Sequence, residues 1–176
     1  MPEIWEEIRN DRERGARRLV AEYGNRLYAS ALLLCRNPSD AEELVFRTFE
    51  RAVERIGQYR PGGAFGGWLR VIMLNFRRMD LRRRRPEIVS VGTAMDLPEI
   101  PDATLAEALA GADAEAIRAA VRRLSPPLAE AVVLRFFEGM RLEEVAAALG
   151  VPEGTVKSRL HNAKAALRKL LEEERP

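Results

Sequence analysis

The stretch LGVPEGTVKSRLHNAK, residues 149–164, contains the signals of a helix end, a tight turn and a second helix. Gly150 closes an apolar helical pattern, and Pro152 stands where a new helix begins, because the first turn of a helix does not need its backbone N–H. At 100° per residue, the apolar side chains of the second helix fall within about 60° of one another. They are Val156, Leu160, Ala163 and Leu167. The spacing therefore predicts a helical hairpin that buries one face.

The opposite face of the second helix is polar, and no acidic residue occurs between Gly154 and Leu171. Its outward side chains are Lys157, Ser158, His161 and Asn162. Lysine suits guanine edges, asparagine suits adenine edges, and serine suits either. A helix of this kind after a tight turn is typical of helix-turn-helix DNA-binding motifs. A soluble amphipathic hairpin with a solvated polar face is the alternative, and periodicity alone does not separate the two.

The residues before this hairpin also show helical periodicity. A helix begins near residue 113, and Ser125 is expected to cap the next helix, which is entered through Pro126 and Pro127. Farther upstream, residues 86–112 combine three prolines, small residues and weak periodicity. This composition predicts a flexible linker with at most a short helix near 103–110.

The N-terminal part of the chain predicts a helical bundle, because helical periodicity dominates and no stretch alternates as a strand does. A short helix and a long helix over 13–35 come first. Ser39 with Glu42 predicts a capping box for the third helix. After a glycine-rich loop, the last helix of the bundle runs over 65–84. The residues expected to be buried on this helix are Phe65, Trp68, Leu69, Ile72, Phe76 and Met79.

Charge is distributed unevenly along a chain whose net charge is only +2. Residues 1–85 hold 18 Lys and Arg against 12 Asp and Glu. Residues 86–115 hold seven acids and no base, whereas residues 116–176 hold 11 bases against eight acids. Two basic modules around an acidic connector favour a polyanionic partner.

Composition also argues against several classes of protein. With one cysteine and one histidine, no disulfide framework and no zinc site are expected, and Cys35 is expected to be a buried apolar residue. No apolar run has the length of a membrane span and no secretory signal begins the chain, so the sequence predicts a cytoplasmic protein without membrane insertion. There is no histidine-based dyad, phosphate-binding loop or metal cluster, so neither an enzyme nor a cofactor is expected.

Two long stretches resemble region 2 and region 4 of bacterial sigma factors. Residues 40–85, with DAEELV, FGGWL and DLRRRR at matching spacings, are similar to region 2. Residues 124–170, which include GTVKSRL, are similar to region 4. The pair in this order, joined by a short linker, resembles the extracytoplasmic-function (group IV) sigma factors. The resemblance implies an all-α protein of two small helical domains joined by a flexible linker: region 2 over 1–85, the linker over 86–112 and region 4 over 113–176.

The resemblance further implies a transcription initiation factor that recruits core RNA polymerase to promoter DNA, usually under the control of an anti-sigma factor. The −35 element would be contacted by Lys157, Ser158, His161 and Asn162. The −10 element, with one base flipped from its stack, would be contacted by Tyr59, Asn75, Arg77 and Arg78. The DNA backbone would be contacted by Arg82, Arg83, Arg84 and Arg85, which supply affinity rather than sequence preference. Core polymerase would be contacted by Asp40, Glu43, Phe46 and Arg47.

The chain departs from the family pattern on the surface expected to meet polymerase. Phe46 stands where a glutamine is usual, and Arg47 stands where an acid is common. Phe46 lies one position off the apolar stripe of its helix and is therefore expected to be exposed. A helix-turn-helix regulator that does not engage polymerase is the alternative function. The region 2 resemblance distinguishes the two, because such a regulator has no use for region 2.

Overall fold

The computed structural model describes residues 3–35, 37–62, 64–84 and 114–173. The chain divides into two compact units, of which the first contains 3–84 and the second contains 114–173. Within the described ranges the chain forms helices with short connections and no β-strand, so the prediction of an all-α fold is confirmed. The expected linker and its short helix near 103–110 lie outside the described residues.

The first unit is a helical bundle in which each helix packs against the next one along the chain. Its helices are α1 (Ile4–Asn10), α2 (Arg12–Leu34), α3 (Pro38–Glu54) and α4 (Phe65–Arg84), with a 3-10 turn at Ile56–Gln58. Helix α2 packs against α1 and α3, and α3 packs against α4. The core includes the fully buried side chains of Ile8, Leu19, Leu69, Met73 and Leu74. Burial of these side chains supplies the main stabilising term of the bundle.

Helix α3 begins at a different cap from the one expected. The side-chain Oδ1 of Asn37 accepts a hydrogen bond of 2.8 Å from the backbone N–H of Asp40. Pro38 occupies the first helical position, where its fixed φ is already helical. Ser39 therefore lies inside the first turn, and the predicted capping box of Ser39 and Glu42 is wrong.

Helix α4 buries a face rotated from the expected one. Leu69, Met73 and Leu74 are fully buried, whereas Met79 is 40% exposed, so the prediction that Met79 is buried is wrong. Trp68, Ile72 and Phe76 are only half-buried. Apolar residues cover most of the circumference of α4, so its periodicity alone does not decide which side faces the core.

The second unit is built around one long helix. Its helices are α5 (Ala114–Arg123), α6 (Pro126–Val132), α7 (Leu142–Leu149) and α8 (Glu153–Glu173), with a π-helical turn at Val133–Phe137 after α6. Helix α8 packs against α5, α6 and α7, and the fully buried residues include Val121, Val132, Val145, Val156 and Leu167. Ser125 is the N-cap residue of α6 as expected, although its side chain makes no capping hydrogen bond.

Candidate nucleic-acid interface

The turn between α7 and α8 depends on a glycine with left-handed backbone. Gly150 has φ 66° and ψ 36°, a conformation that disfavours residues with a Cβ. The N–H of Gly150 donates to the carbonyl of Ala147 at 3.3 Å, and the N–H of Val151 donates to that of Ala146 at 3.1 Å. These bonds satisfy carbonyls that the end of α7 would otherwise leave open. The predicted helix–turn–helix hairpin is therefore present, with its second helix starting at Glu153.

Helix α8 presents the predicted polar residues away from its buried face. Val156, Ala163 and Leu167 are fully buried, and Leu160 is half-buried. Of the four expected DNA contacts, His161 and Asn162 are exposed, while Lys157 and Ser158 are partly exposed. All four side chains lie in the first three turns of α8, which is the part of a recognition helix that reaches base edges.

The opposite end of α7 is held by an acid. The backbone N–H of Arg141 donates to Oε2 of Glu144 at 2.7 Å. An arginine side chain has no acceptor, so Glu144 supplies the side-chain bond at this helix start. The hairpin is thus fixed at both ends of α7, by Glu144 before it and by Gly150 after it.

The candidate −10 residues on α4 differ in accessibility. Asn75 is exposed, and Arg77 and Arg78 are half-buried. Arg82 and Arg83 are exposed near the end of the helix. The side chain of Arg84 and the whole of Arg85 lie outside the described residues.

Tyr59 lies inside an aromatic cluster. It is only 6% exposed, and its ring centroid lies 5.0 Å from that of Phe65, 5.4 Å from that of Trp68 and 6.1 Å from that of Trp5. Burial raises the pKa of the Tyr59 phenol, with a smaller contribution from the negative charge of Glu3. Neither face of the Tyr59 ring is freely accessible to a base here. Trp68, half-buried, offers the more accessible aromatic surface of this cluster.

The candidate polymerase-binding residues lie on α3. Phe46 is 63% exposed, which confirms the expectation from its position beside the apolar stripe. Glu43 is also exposed, and Asp40 is half-buried. Arg47 differs from them, because its Nη1 bonds both carboxylate oxygens of Asp80 on α4, at 2.9 and 3.1 Å.

The Arg47 guanidinium also stacks on an aromatic ring of α4. It lies 4.5 Å from the centroid of Phe76, and the guanidinium of Arg51 lies 5.5 Å from the same ring. Glu43 approaches Arg47 at 3.7 Å. Beside these groups lies a cavity of about 140 Å³ that acids and arginines of α3 and α4 line together. Arg47 thereby connects the candidate polymerase surface to the helix that carries Asn75.

Two contacts beside the candidate sites are not predicted by the sequence patterns. Asp80 is the one acid in the basic run RRMDLRRRR, and this isolation among arginines is the sequence signal that it takes part in an internal ion pair. Arg9 donates to the backbone carbonyls of Ile56 and Tyr59, some 50 positions away in sequence. No local pattern predicts a side-chain bond across that separation.

Comparison with known proteins decides the family. A family model described as Sigma-70 region 2 matches residues 19–87, and one described as Sigma-70, region 4 matches residues 114–167. The chain is 36% identical over 159 residues to the ECF RNA polymerase sigma factor SigE of Mycolicibacterium smegmatis, and 35% identical over 147 residues to the ECF RNA polymerase sigma factor EcfG of Rhodopseudomonas palustris. The chain belongs to the ECF sigma factors.

Coverage differs between these ECF sigma factors. The SigE alignment takes in 87% of the chain but only 60% of SigE, whereas the EcfG alignment takes in 82% of the chain and 78% of EcfG. Among solved structures, the sigma factor RpoE of Bartonella quintana, in complex with the anti-sigma factor NepR, is similar with a TM-score of 0.69 and 25% identity. That comparison covers 90% of the chain and 98% of RpoE.

Three further observations concern the described residues of this ECF sigma factor. None of their helices combines the length and the apolar character needed to cross a membrane. Nor do they bring together three or more His, Cys, Asp or Glu side chains as a metal site would. Cys35 is buried, as expected.

Proposed function

We propose that this ECF sigma factor directs core RNA polymerase to promoters by reading the −35 element with region 4 and opening the −10 element with region 2. The observation that carries the proposal is the presence of both regions, in this order, in one chain. Region 4 supplies a polar face of α8 that carries no acid between Gly154 and Leu171, and region 2 supplies an exposed asparagine on a basic helix. The proposal assigns no catalytic residue and no cofactor to the chain.

The −35 contacts are proposed from the exposed face of α8. Asn162 would pair with an adenine edge, Lys157 with a guanine edge or phosphate, and Ser158 and His161 with neighbouring groups. The buried face of α8 is separate from these side chains, so they are available to DNA without unfolding the hairpin. Binding by this helix would then depend on base identity rather than on charge alone.

The −10 contacts are proposed along α4, from its middle to its C-terminal end. Asn75 is exposed and offers an amide to a base edge, and Arg77, Arg78 and the run from Arg82 to Arg85 would attract the backbone. A flipped base also needs an aromatic surface. Since Tyr59 is buried, its ring would form the rear wall of this pocket, and Trp68 offers the accessible surface in front of it.

The polymerase contact is proposed on α3, through Asp40, Glu43, Phe46 and Arg47. Phe46 is a large apolar side chain exposed among charged neighbours, and aromatic anchors of this kind contribute strongly to interfaces. The guanidinium of Arg47 forms an ion pair with Asp80. A direct contact of Arg47 with polymerase would therefore compete with this internal ion pair. We place the principal anchor at Phe46.

Control by an anti-sigma factor is proposed from the similarity to RpoE, whose structure contains NepR. A cytoplasmic location is proposed on the same family grounds. We propose the domain limits 1–85, 86–112 and 113–176, and the order of the two matched regions supports them.

A mobility-shift assay with and without core enzyme tests the proposal against the simple-regulator alternative. If the linker predicted from the sequence does not hold the two basic modules in a fixed arrangement, the chain alone should bind duplex promoter DNA weakly. Specific binding should appear when core enzyme is added. Tight and specific binding by the chain alone would favour a regulator that does not engage polymerase.

Single-base substitutions of the −35 element test the residue assignments. We expect Lys157→Ala and Asn162→Ala each to cost about 1–3 kcal/mol and to relax preference at particular bases. Lys169→Ala is the matched control, because Lys169 is exposed on the same helix but seven residues beyond Asn162, farther from the N-terminal turns. Equal losses on every promoter would limit these side chains to phosphate contacts, and no loss would remove α8 as the reader.

A further inference from the structure

Helix α1 contacts the turn that precedes the candidate −10 helix, although it lies before residue 19, where the region 2 match begins. The Nη2 of Arg9 donates to the carbonyl oxygen of Ile56 at 3.3 Å and to that of Tyr59 at 3.1 Å. These carbonyls stand at the two ends of one short turn. A guanidinium that bonds both therefore fixes the geometry of the turn as well as its position.

A second contact joins α1 to the same turn. The ring of Trp5 lies 6.1 Å from that of Tyr59, and the guanidinium of Arg9 lies 4.9 Å from the Trp5 ring centroid. An arginine stacked on an aromatic ring is restrained in the direction of its donors. Trp5 therefore holds both Tyr59 and the arginine that bonds the backbone of Tyr59.

Helix α1 is itself firmly seated on α2. A Cβ added to Gly15 would lie 2.5 Å from Cα and 2.6 Å from the backbone N of Ile8, so only glycine permits this approach. Glu7 is buried and pairs with Arg14 at 2.6 Å and with Arg18 at 2.8 Å. The close packing and the ion pairs fix α1 at a defined position from which Arg9 reaches the turn.

We propose that α1 is a brace for the −10 pocket and that Arg9 is its positioning residue. Arg9 and Trp5 hold the Ile56–Tyr59 turn so that Tyr59 forms the rear wall of the pocket in which Trp68 offers its surface to a flipped base. Without these contacts the turn would move more freely and would have to become ordered on DNA binding. The entropy lost in that ordering would lower the affinity for the single strand. The inference rests on the proposed assignment of the −10 site to this part of region 2.

The test measures binding of a short fluorescein-labelled single strand by holoenzyme reconstituted from core enzyme and the full chain. The strand carries the −10 non-template sequence of a promoter selected with the wild-type holoenzyme. Arg9→Ala removes two hydrogen bonds made by a charged, partly exposed donor. The variant should therefore bind this strand about 3- to 10-fold more weakly than the wild type does. Arg12→Ala is the matched control, an exposed arginine beside α1, and it should leave binding unchanged.

Two further variants separate positioning from charge and from misfolding. Arg9→Lys keeps the charge but lacks the planar guanidinium that stacks on Trp5 and directs Nη2 toward both carbonyls, so it should recover binding only in part. Full recovery by lysine would overturn the proposal in favour of simple attraction of DNA. Gly15→Ala displaces α1 although the residues of α1 and of the turn stay the same. It should weaken binding of the single strand and leave binding of a −35 duplex unchanged.

Tyr59→Ala and Asn75→Ala, measured with the same strand, separate this inference from the proposed function. If both lose affinity and the Arg9 and Gly15 variants do not, the brace is refuted and the −10 site stands. If Tyr59→Ala and Asn75→Ala bind like wild type, the −10 assignment itself is wrong and the brace falls with it. The accompanying structural readout is amide exchange at Tyr59, whose N–H donates to Ile56 at 3.2 Å and should exchange faster in Arg9→Ala.

Discussion

Replacement of Arg47 by alanine should destabilise the first unit by about 1–2 kcal/mol. Arg47 bonds Asp80 at 2.9 and 3.1 Å, with side chains 22% and 32% exposed, so solvent screening limits this pair to about 0.5–1 kcal/mol. The guanidinium 4.5 Å from the Phe76 ring adds about 0.5–1 kcal/mol. Both contacts join α3 to α4, so their loss loosens the helix that carries the candidate −10 residues.

Urea unfolding followed by tryptophan fluorescence measures this effect in the first unit alone, because Trp5 and Trp68 are the only tryptophans and both lie in it. A double-mutant cycle of Arg47→Ala with Asp80→Ala should give a coupling energy of about 0.5–1 kcal/mol. The control cycle pairs Arg47 with Glu43, which approaches only to 3.7 Å and is 68% exposed. That cycle should give about 0.3 kcal/mol or less.

A coupling energy to Asp80 no larger than that to Glu43 would show that the Arg47–Asp80 pair does not stabilise the packing of α3 against α4. Core-enzyme affinity gives a second readout of the same variants. If Arg47 acts through α4, Asp80→Ala and Arg47→Ala should weaken core binding by similar factors. If Arg47 contacts polymerase directly, only Arg47→Ala should weaken it.

Three smaller predictions follow from local geometry. Gly150→Ala should lower the stability of the second unit by about 1 kcal/mol, because φ is positive at this residue, and an unchanged melting temperature by circular dichroism would contradict this. Asn37→Ala should lower the free energy of urea unfolding by about 1 kcal/mol, whereas Ser39→Ala should hardly change it. Equal effects of the two substitutions would contradict the assignment of the cap to Asn37. The hydrogen bond from Arg18, then the charges of Arg14 and Arg18, hold the pKa of Glu7 below its usual 4.5 against the effect of burial. The stability due to Glu7 is therefore present above pH 4.5 and is lost as the pH falls through the lowered pKa of Glu7. In Glu7→Gln the urea midpoint should depend less on pH in this range than it does in the wild type.

The helix–turn–helix hairpin could be predicted because its signals are local. A glycine after α7, a proline before α8 and apolar residues at helical spacing are each readable within 20 residues. The same holds for the exposure of Phe46, which follows from its angle to the stripe of α3. The predicted cap of α3 is wrong for a local reason. Asn37 and Ser39 are both residues that favour the N-cap position, and Pro38 between them favours the first helical position, which makes Asn37 the cap.

The rest depends on contacts that sequence patterns do not encode. The inward face of α4 is chosen by its packing against α3, because apolar residues such as Met73 and Met79 occur on both sides of the helix. The burial of Tyr59 depends on Trp5 from a helix more than 50 residues earlier. The Arg47–Asp80 pair likewise joins residues 33 positions apart, and the family resemblance predicted a polymerase contact for Arg47 rather than an internal one.

Transcription of a randomised-promoter library by core enzyme, with and without the chain, measures whether the chain selects promoters. We predict RNAs that appear only when the chain is added, start at a common distance from two selected upstream elements, and disappear when either element is altered. With Asn162→Ala the upstream element should lose preference at particular bases, while the downstream element is kept. Transcripts that are identical with and without the chain, from a library whose DNA the chain binds by itself, would show that the chain is not a promoter-selecting factor.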